Sequence, residues 1–497
     1  MPLNTSLNPL SDRDFGIAQA RHLLVRVGLG ANPVEVRRVQ RLGLTRAVRE
    51  LVEYQRVEVG DLVEADTDPD IIQTLSAEEV RELTQARRSG DRAAIDQFTR
   101  RRVAAQAEDR RAHASLQAWW VGRMIDTPRP AEENLTLLWH GHFASRHRDV
   151  RDAYLMQQQN AMFRRYANGS FEDLARGIVR DPAMIKFLNN DRNNRRRPNE
   201  NLSRELMELF TLGEGHYTEA DIKEGARALT GYHVDDNDFA FRRFAHDSGD
   251  KTILGRTDDF DGDGFVQLLL RQQACSRFVA LKLYRHLVAD VSDDWDLVPS
   301  EHRDVIDRLA RQLRGSGYEL KPVLTTLLRS RHFYDRQVVG KKIKSPVQVV
   351  VGTARTLGTP TRDERGLVRA LRAMGQDLFE PPSVAGWPGG RSWINTSTLF
   401  LRQNTNVYQI TGSATNRAFN KDNMAYDPMH LLQGCSDPGD PGKVVDHLAD
   451  ALLGEHLSPT RREPLQRFMA ERTKGVTADS VVGLLLLITA MPEYQLC

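Results

Sequence analysis

Cysteine is scarce in this sequence. Its three cysteines, Cys275, Cys435 and Cys497, lie far apart among 497 residues. An odd number at such wide spacing gives neither a disulfide framework nor a thiolate motif for a metal. Long hydrophobic runs are also missing, because the most apolar late stretch, residues 481–491, is too short to cross a bilayer and indicates a buried helix. We therefore expect a protein without structural disulfides and without a membrane partner.

An excess of charge of one sign is absent too. Lysine and arginine together number 69 and aspartate and glutamate 67, which gives a net charge of +2. This balance excludes a global attraction to nucleic acid, and the arginine clusters at 100–102 and 110–111 are interspersed with acids as on a solvated helix face. The first residues show no conventional signal peptide, so we expect a soluble, cytoplasmic protein by default, with export by another route left open.

Several familiar catalytic motifs are missing as well. The chain contains no Gly-x-Ser-x-Gly elbow, no Walker A loop and no His-Glu-x-x-His helix. These absences remove several common classes of hydrolase and nucleotide-binding enzyme. With 40% hydrophobic and 27% charged residues, the composition is nevertheless that of a folded globular protein.

Helical spacing of apolar residues, helix caps and Gly/Pro breaks predict a mainly α fold, a large array of many helices. The alternating aromatic stretch Phe239-Ala-Phe241 predicts a strand within a small β-hairpin insertion near residues 232–258. We divide the chain into an N-terminal helical region, a core helical domain that carries the candidate site, and a C-terminal helical region packed on the core: residues 1–115, 116–400 and 401–497.

The segment from Pro198 to Gly213 predicts a central helix that is apolar except for one polar seam. Helical spacing brings these polar side chains together: Glu200, Asn201, Arg204, Glu205 and Glu208. Burying such a seam is costly unless its charges are paired or used. The seam is therefore either a structural ion-pair network or a functional site, in which Glu205 and Glu208 act as acid and base or as metal ligands.

The segment Trp139-His140-Gly-His142-Phe143 carries a candidate metal pair. Two histidines two residues apart lie about 200° apart on a helix, so they share a metal only if the helix breaks at Gly141 or loop residues complete the site. Histidine with carboxylate oxygen suits zinc, manganese or iron. We take His140, His142 and Glu200 as candidate ligands of a divalent metal, with a structural role for the histidines as the alternative. His147, in a charged patch, is expected to face solvent.

Two further stretches are candidates for binding or catalysis. His246-Asp247, with Lys251 nearby, follows the predicted strand and forms either an active-site loop or a turn. Trp387, in a Gly-Trp-Pro-Gly loop within residues 380–395, forms either a stacking wall for a sugar or base, or a plug of the helical core. We assign His246 and Asp247 to the catalytic group and take the following side chains as substrate contacts: Asn201, Arg204, Lys251 and Trp387.

Taken in order, these motifs resemble the bacterial family known as domain of unknown function 1800, over nearly the whole chain. The matching pieces are His22-Leu-Leu, Gly28-Leu-Gly30, Trp139-His-Gly-His-Phe143, Asp181-Pro-Ala-Met184, Asn199-Glu-Asn201, Arg204-Glu205-Leu-Met-Glu208-Leu-Phe-Thr-Leu-Gly213, Ala226-Arg-Ala-Leu-Thr-Gly231, His246-Asp247, Lys282, Lys344-Ser-Pro346, Gly386-Trp-Pro-Gly389 and Pro492-Glu-Tyr-Gln-Leu496. The resemblance implies a largely helical protein and brings no established activity.

The same resemblance implies a partner. Members of the family are often encoded beside a second family of unknown function, numbered 1501, whose members tend to be exported and look like sulfatase or phosphatase relatives. Our leading hypothesis is an enzyme with a His/Glu site, with or without a metal, that acts on a saccharide or on a phosphate or sulfate ester. The competing hypothesis is a non-catalytic helical partner or scaffold for a protein of family 1501.

Overall fold

The computed structural model describes residues 2–415, 419–454, 457–471 and 475–497. This described part is mainly α-helical, as predicted, and none of its helices is long and apolar enough to cross a membrane. The α-helices are α1 (Ile17–Val27), α2 (Pro33–Leu42), α3 (Leu44–Val52), α4 (Ala77–Ser89), α5 (Arg92–Asp126), α6 (Pro130–His142), α7 (His147–Val150), α8 (Ala153–Tyr166), α9 (Phe171–Arg180), α10 (Pro182–Phe187), α11 (Asn201–Glu205), α12 (Glu219–Ala228), α13 (Gly262–Leu270), α14 (Gln273–Leu287), α15 (Ser300–Gly315), α16 (Leu320–Arg329), α17 (Pro346–Leu357), α18 (Glu364–Ala373), α19 (Thr396–Thr411), α20 (Pro441–Leu453), α21 (Pro459–Ala470) and α22 (Ala478–Thr489).

The predicted β-hairpin is confirmed within residues 232–258. Strand β1 (Tyr232–Asp235) pairs antiparallel with β2 (Asp238–Phe241), and the two-residue turn between them has positive φ at both positions, as the right-handed twist of a hairpin favours. A second short hairpin follows in the same insertion, formed by β3 (Lys251–Ile253) and β4 (Arg256–Asp258). The insertion therefore holds two separate two-stranded sheets.

Most buried apolar side chains form one large core, and a second cluster is built mainly from residues after 410. Helix α5, 35 residues long, runs across the boundary that we placed after residue 115, and it packs against α6, α8, α17 and α18. The division of the chain at residues 115 and 400 stays a prediction.

A buried carboxylate joins α5, α6 and α8. Glu133 on α6 is fully buried and accepts hydrogen bonds from Trp120 Nε1 (2.8 Å), Arg123 Nε (2.6 Å) and Arg164 Nε (2.7 Å). Burial alone would raise the pKa of Glu133, but the two guanidinium groups outweigh it and hold this pKa below its ordinary value. The three helices are thus fixed around one ionised group.

The Gly-Trp loop covers the end of α6 through a close approach of two backbones. Gly386 has φ +79°, and a Cβ atom there would overlap the carbonyl oxygen of Gly141. The ring of Trp387 lies on Gly141, where a Cβ atom would be 3.4 Å from Trp387 Cε3. Only glycine satisfies both the left-handed conformation and the space at position 386. The Gly-Trp loop and the His-Gly-His segment at the end of α6 therefore contact each other directly.

We predict that Gly386→Ala destabilises the protein much more than Gly255→Ala. Gly255 has nearly the same φ, +75°, but a Cβ atom added there has no neighbour within 4 Å. Its substitution therefore measures only the cost of placing alanine in the left-handed backbone conformation, about 1–2 kcal/mol. The added overlap at Gly386 should bring the loss to about 2–5 kcal/mol. The free energy of unfolding from urea titrations of the two variants tests this, and equal losses would contradict the close approach.

Candidate functional site

The predicted central helix is confirmed as a helical segment, but its second half is a π-helix. Helix α11 (Asn201–Glu205) continues into a π-helix over Leu206–Thr211, in which the Leu212 N–H donates to the Met207 carbonyl five residues back. Short π-helical turns are rare and occur often at functional sites. The seam carboxylates Glu205 and Glu208 lie on either side of this transition.

One half of the seam is an ion-pair network. Arg204 donates to both carboxylate oxygens of Glu219, each at 2.8 Å, and lies 3.2 Å from Glu200. All three side chains are partly exposed, so solvent screens the network and its net contribution to stability is small. Asn201 is exposed, and its N–H donates to the side chain of Asn199. In this half of the seam, Glu200 and Arg204 are therefore paired with each other and not with Asn201.

The other half of the seam contains two carboxyl groups in different environments. Glu208 accepts a 2.6 Å hydrogen bond from the Tyr217 hydroxyl. Glu205 is half-buried, and its side-chain carboxyl has no hydrogen bond or ion pair with any residue that the structure describes. Burial, and then the charge of Glu208, raise the pKa of Glu205 above its ordinary value, against a smaller opposite effect of Arg204. The two carboxyl groups in this half of the seam therefore differ in pairing.

The two histidines of the His-x-His motif are buried and point to different partners. Helix α6 runs unbroken through Gly141 to His142, so the break required for a shared metal is absent. His140 Nε2 accepts the Phe379 N–H at 3.0 Å, and His142 Nε2 donates to the Phe210 carbonyl at 3.0 Å. The ligand atoms of His140, His142 and Glu200 do not lie within 4.8 Å of one another in the described structure, so the geometry does not support this ligand set.

The His246-Asp247 group lies apart from the seam. His246 Nδ1 donates to the Thr230 carbonyl at 2.8 Å, Asp247 pairs with Arg227, and the fully buried Lys251 pairs with Asp259 at 2.6 Å. Helix α12 packs against α11 and also against β3. Each of the three side chains therefore has a partner of its own outside the seam.

A cluster that the sequence analysis missed joins α5, α7 and the loop after α18. Asp109 and His113 lie on α5, His147 on α7 and Glu380 in the loop. The rings of His113 and His147 stack at 3.8 Å with nearly parallel planes. His147 Nε2 is 2.8 Å from Asp109 Oδ2, and its Nδ1 is 3.8 Å from Glu380 Oε1. Among the described residues, His113, His147 and Glu380 are the one group of three potential ligands whose donor atoms lie within 4.8 Å.

The prediction that His147 faces solvent is wrong. The side chain is buried because Asp109 and Glu380 supply carboxylates on both sides of its ring. Burial opposes its protonation, but the hydrogen bond to Asp109 and the negative charges of Asp109 and Glu380 outweigh burial and raise the pKa of His147 to about 9. No local pattern pointed to this cluster, since its members come from distant segments. The charged residues around His147 indicate that this histidine has counter-ions nearby. They do not identify Asp109 and Glu380, which lie in distant segments.

A surface cavity lies elsewhere. It has a volume of about 820 Å³ and is formed by residues 59–63, one face of α5 and the start of α18. Trp119, Arg123 and Glu364 are among its lining residues, and none of the predicted site residues lines it. Burial, and then the charges of Asp126 and Asp363, raise the pKa of Glu364.

The comparisons with known proteins agree with the motifs. A family model described as protein of unknown function (DUF1800) matches residues 22–496. The chain belongs to this family. No curated protein and no solved structure matches it. Membership of DUF1800 accounts for nearly the whole chain and brings no named activity, so the chemistry must be argued from the residues themselves.

We predict that His140 and His142 are neutral and carry opposite tautomers in this DUF1800 protein. His140 Nε2 accepts a hydrogen bond, so its proton is on Nδ1, whereas His142 Nε2 donates one. Burial lowers the pKa of both histidines to about 3. Long-range ¹H–¹⁵N NMR spectra should show the two patterns, unchanged through the pH range in which exposed histidines titrate. Identical tautomers would contradict the contacts described.

Proposed function

We propose that this DUF1800 protein is an enzyme that uses Glu205 and Glu208 for acid–base catalysis on a polar substrate. The observation that carries the proposal is the unpaired, half-buried Glu205 carboxyl, whose pKa is raised, beside a second carboxyl at a π-helical turn. Neighbouring carboxyl groups with different environments are the usual way in which one site supplies both an acid and a base.

In this proposal Glu205 is the acid. Its raised pKa favours the protonated form, which donates its proton to the oxygen of a leaving group. Glu208, with Tyr217 donating to its Oε2, is the base that accepts a proton from the attacking water. Protonation of an oxygen leaving group and activation of water together hydrolyse a saccharide bond or a phosphate or sulfate ester. These remain the substrate classes that we consider.

The other sequence-predicted residues have limited roles in this scheme. Asn201 and Arg204 lie on the same helix as the two carboxyls, so they are the substrate contacts that the seam offers. Contributions of His246, Asp247, Lys251 and Trp387 remain predictions, because each is positioned outside the seam. The non-catalytic alternative, a partner for a family 1501 protein, would use the same seam only as an ion network.

We predict that Glu205→Gln abolishes hydrolysis without lowering stability. Loss of a general acid should reduce the rate about 10²–10⁴-fold. The matched control is Glu200→Gln, which removes a partly exposed carboxylate from the same helix and should leave the rate nearly unchanged. Chromogenic aryl glycosides, aryl phosphates and aryl sulfates are the substrates to test. Equal rates for the two variants, or no turnover of any class by the wild type, would contradict the enzyme proposal.

The pH dependence of the same variants follows from the direction of the pKa shift. A raised pKa means that folded Glu205 holds its proton more tightly than the unfolded chain. Its contribution to stability is therefore present at low pH and is lost as pH rises through the raised pKa. The hydrolysis rate should fall over the same interval, because the acid loses its proton. Glu205→Gln should remove this loss of stability, as measured by urea unfolding at a series of pH values.

A further inference from the structure

We propose that His113, His147 and Glu380 bind a divalent transition-metal ion of the zinc class, with Asp109 orienting His147. This site is separate from the Glu205–Glu208 pair and does not depend on the function proposed for it. It joins three parts of the chain that are far apart in sequence: helix α5, helix α7 and the loop after α18.

The donor set matches the ion. Two imidazole nitrogens and one carboxylate oxygen are a frequent set of protein ligands for zinc, with water in the fourth position. His147 Nδ1 lies 3.8 Å from Glu380 Oε1, and all three donors lie within 4.8 Å. With zinc–ligand bonds of about 2.0–2.1 Å, neighbouring donors lie about 3.4 Å apart. Binding requires side-chain rotations that tilt the stacked imidazoles out of parallel and bring the three donors to that spacing.

Two buried polar atoms in this cluster have no hydrogen-bond partner. They are His113 Nε2, on a side chain that is only 7% exposed, and Glu380 Oε2. Buried polar groups are nearly always paired, so the His113 nitrogen calls for a missing partner. Among the described residues, Glu380 Oε2 has only the ion pair with Arg148, at 3.6 Å. A bound cation accepts a lone pair from His113 and a lone pair from Glu380, and so provides a partner for both side chains. An apolar neighbour provides a partner for neither.

The second ring nitrogen of His147 is arranged as in metal sites. Histidines that bind a metal usually donate their other N–H to a carboxylate, which fixes the tautomer and the orientation of the ring. Asp109 Oδ2 is 2.8 Å from His147 Nε2, and Asp109 Oδ1 accepts the Ala153 N–H at 2.6 Å. Asp109 is therefore itself held in place, and it leaves His147 Nδ1 directed at Glu380.

The charges around the cluster suit a divalent cation. Asp109 and Glu380 bring two carboxylates to one buried site. Arg148 competes for the same carboxylate, since its Nε lies 3.6 Å from Glu380 Oε2 and its backbone N–H donates to Glu380 Oε1 at 2.9 Å. Its side chain is mostly exposed. Arg148 can withdraw into solvent when an ion takes Glu380.

Metal titration of the full chain tests the site. Protein stripped with a chelator should bind one equivalent of Zn²⁺ in isothermal titration calorimetry, and Mg²⁺, which prefers six oxygen ligands, should not bind there. Co²⁺ in place of zinc should give the visible absorption of a four-coordinate ion. X-ray absorption of the zinc-loaded wild type should show two imidazole ligands, a readout that requires no variant to fold.

Single substitutions locate the ion. His113→Gln and Glu380→Gln should each abolish the zinc isotherm, and Asp109→Asn should weaken it about 10–100-fold. His216→Gln, at an exposed histidine outside the cluster, is the control and should bind zinc like the wild type. Failure of the wild type to bind zinc, or binding unchanged in both His113→Gln and Glu380→Gln, would overturn the proposal. Glu205→Gln should retain full zinc binding, which separates this test from that of the proposed activity.

Discussion

The contact between the Gly141 carbonyl and the backbone of Gly386 is the constraint on which this part of the molecule depends. It allows the Gly-Trp loop to lie directly on the end of α6, and Phe379, earlier in the same chain segment, donates its N–H to His140. His147 in turn donates its backbone N–H to the Phe379 carbonyl. The position of Glu380 beside α5 and α7 is a consequence of these backbone contacts.

The central helix carries one polar seam whose two halves have different environments. Arg204, Glu200 and Glu219 neutralise one another at the surface, where water screens them and their net contribution is small. Glu205, the next residue after Arg204, is half-buried, and its carboxyl has no hydrogen bond or ion pair among the described residues. The two halves of the seam therefore differ in pairing, because burial changes along the helix while the residue types stay the same.

The sequence predicts well whatever depends on local spacing. The mainly α fold, the hairpin near 232–258 and the gathering of Glu205 and Glu208 on one helix all follow from periods of two and 3.6 residues. The π-helical turn does not follow, because the same residues fit an ordinary helix equally well. The cluster of His113, His147 and Glu380 depends on how distant segments pack, and local patterns carry no information about that.

The carbonyl of Phe210 lies at the end of the π-helix, among the backbone oxygens that a helix leaves without an internal partner. His142, which lies on the neighbouring helix α6, donates to this carbonyl and so caps the C-terminal end of the π-helix. The end of the helix that carries Glu205 and Glu208 is thereby defined by the neighbouring helix. One side-chain hydrogen bond thus joins the histidine motif to the end of the helix that carries the two carboxyls.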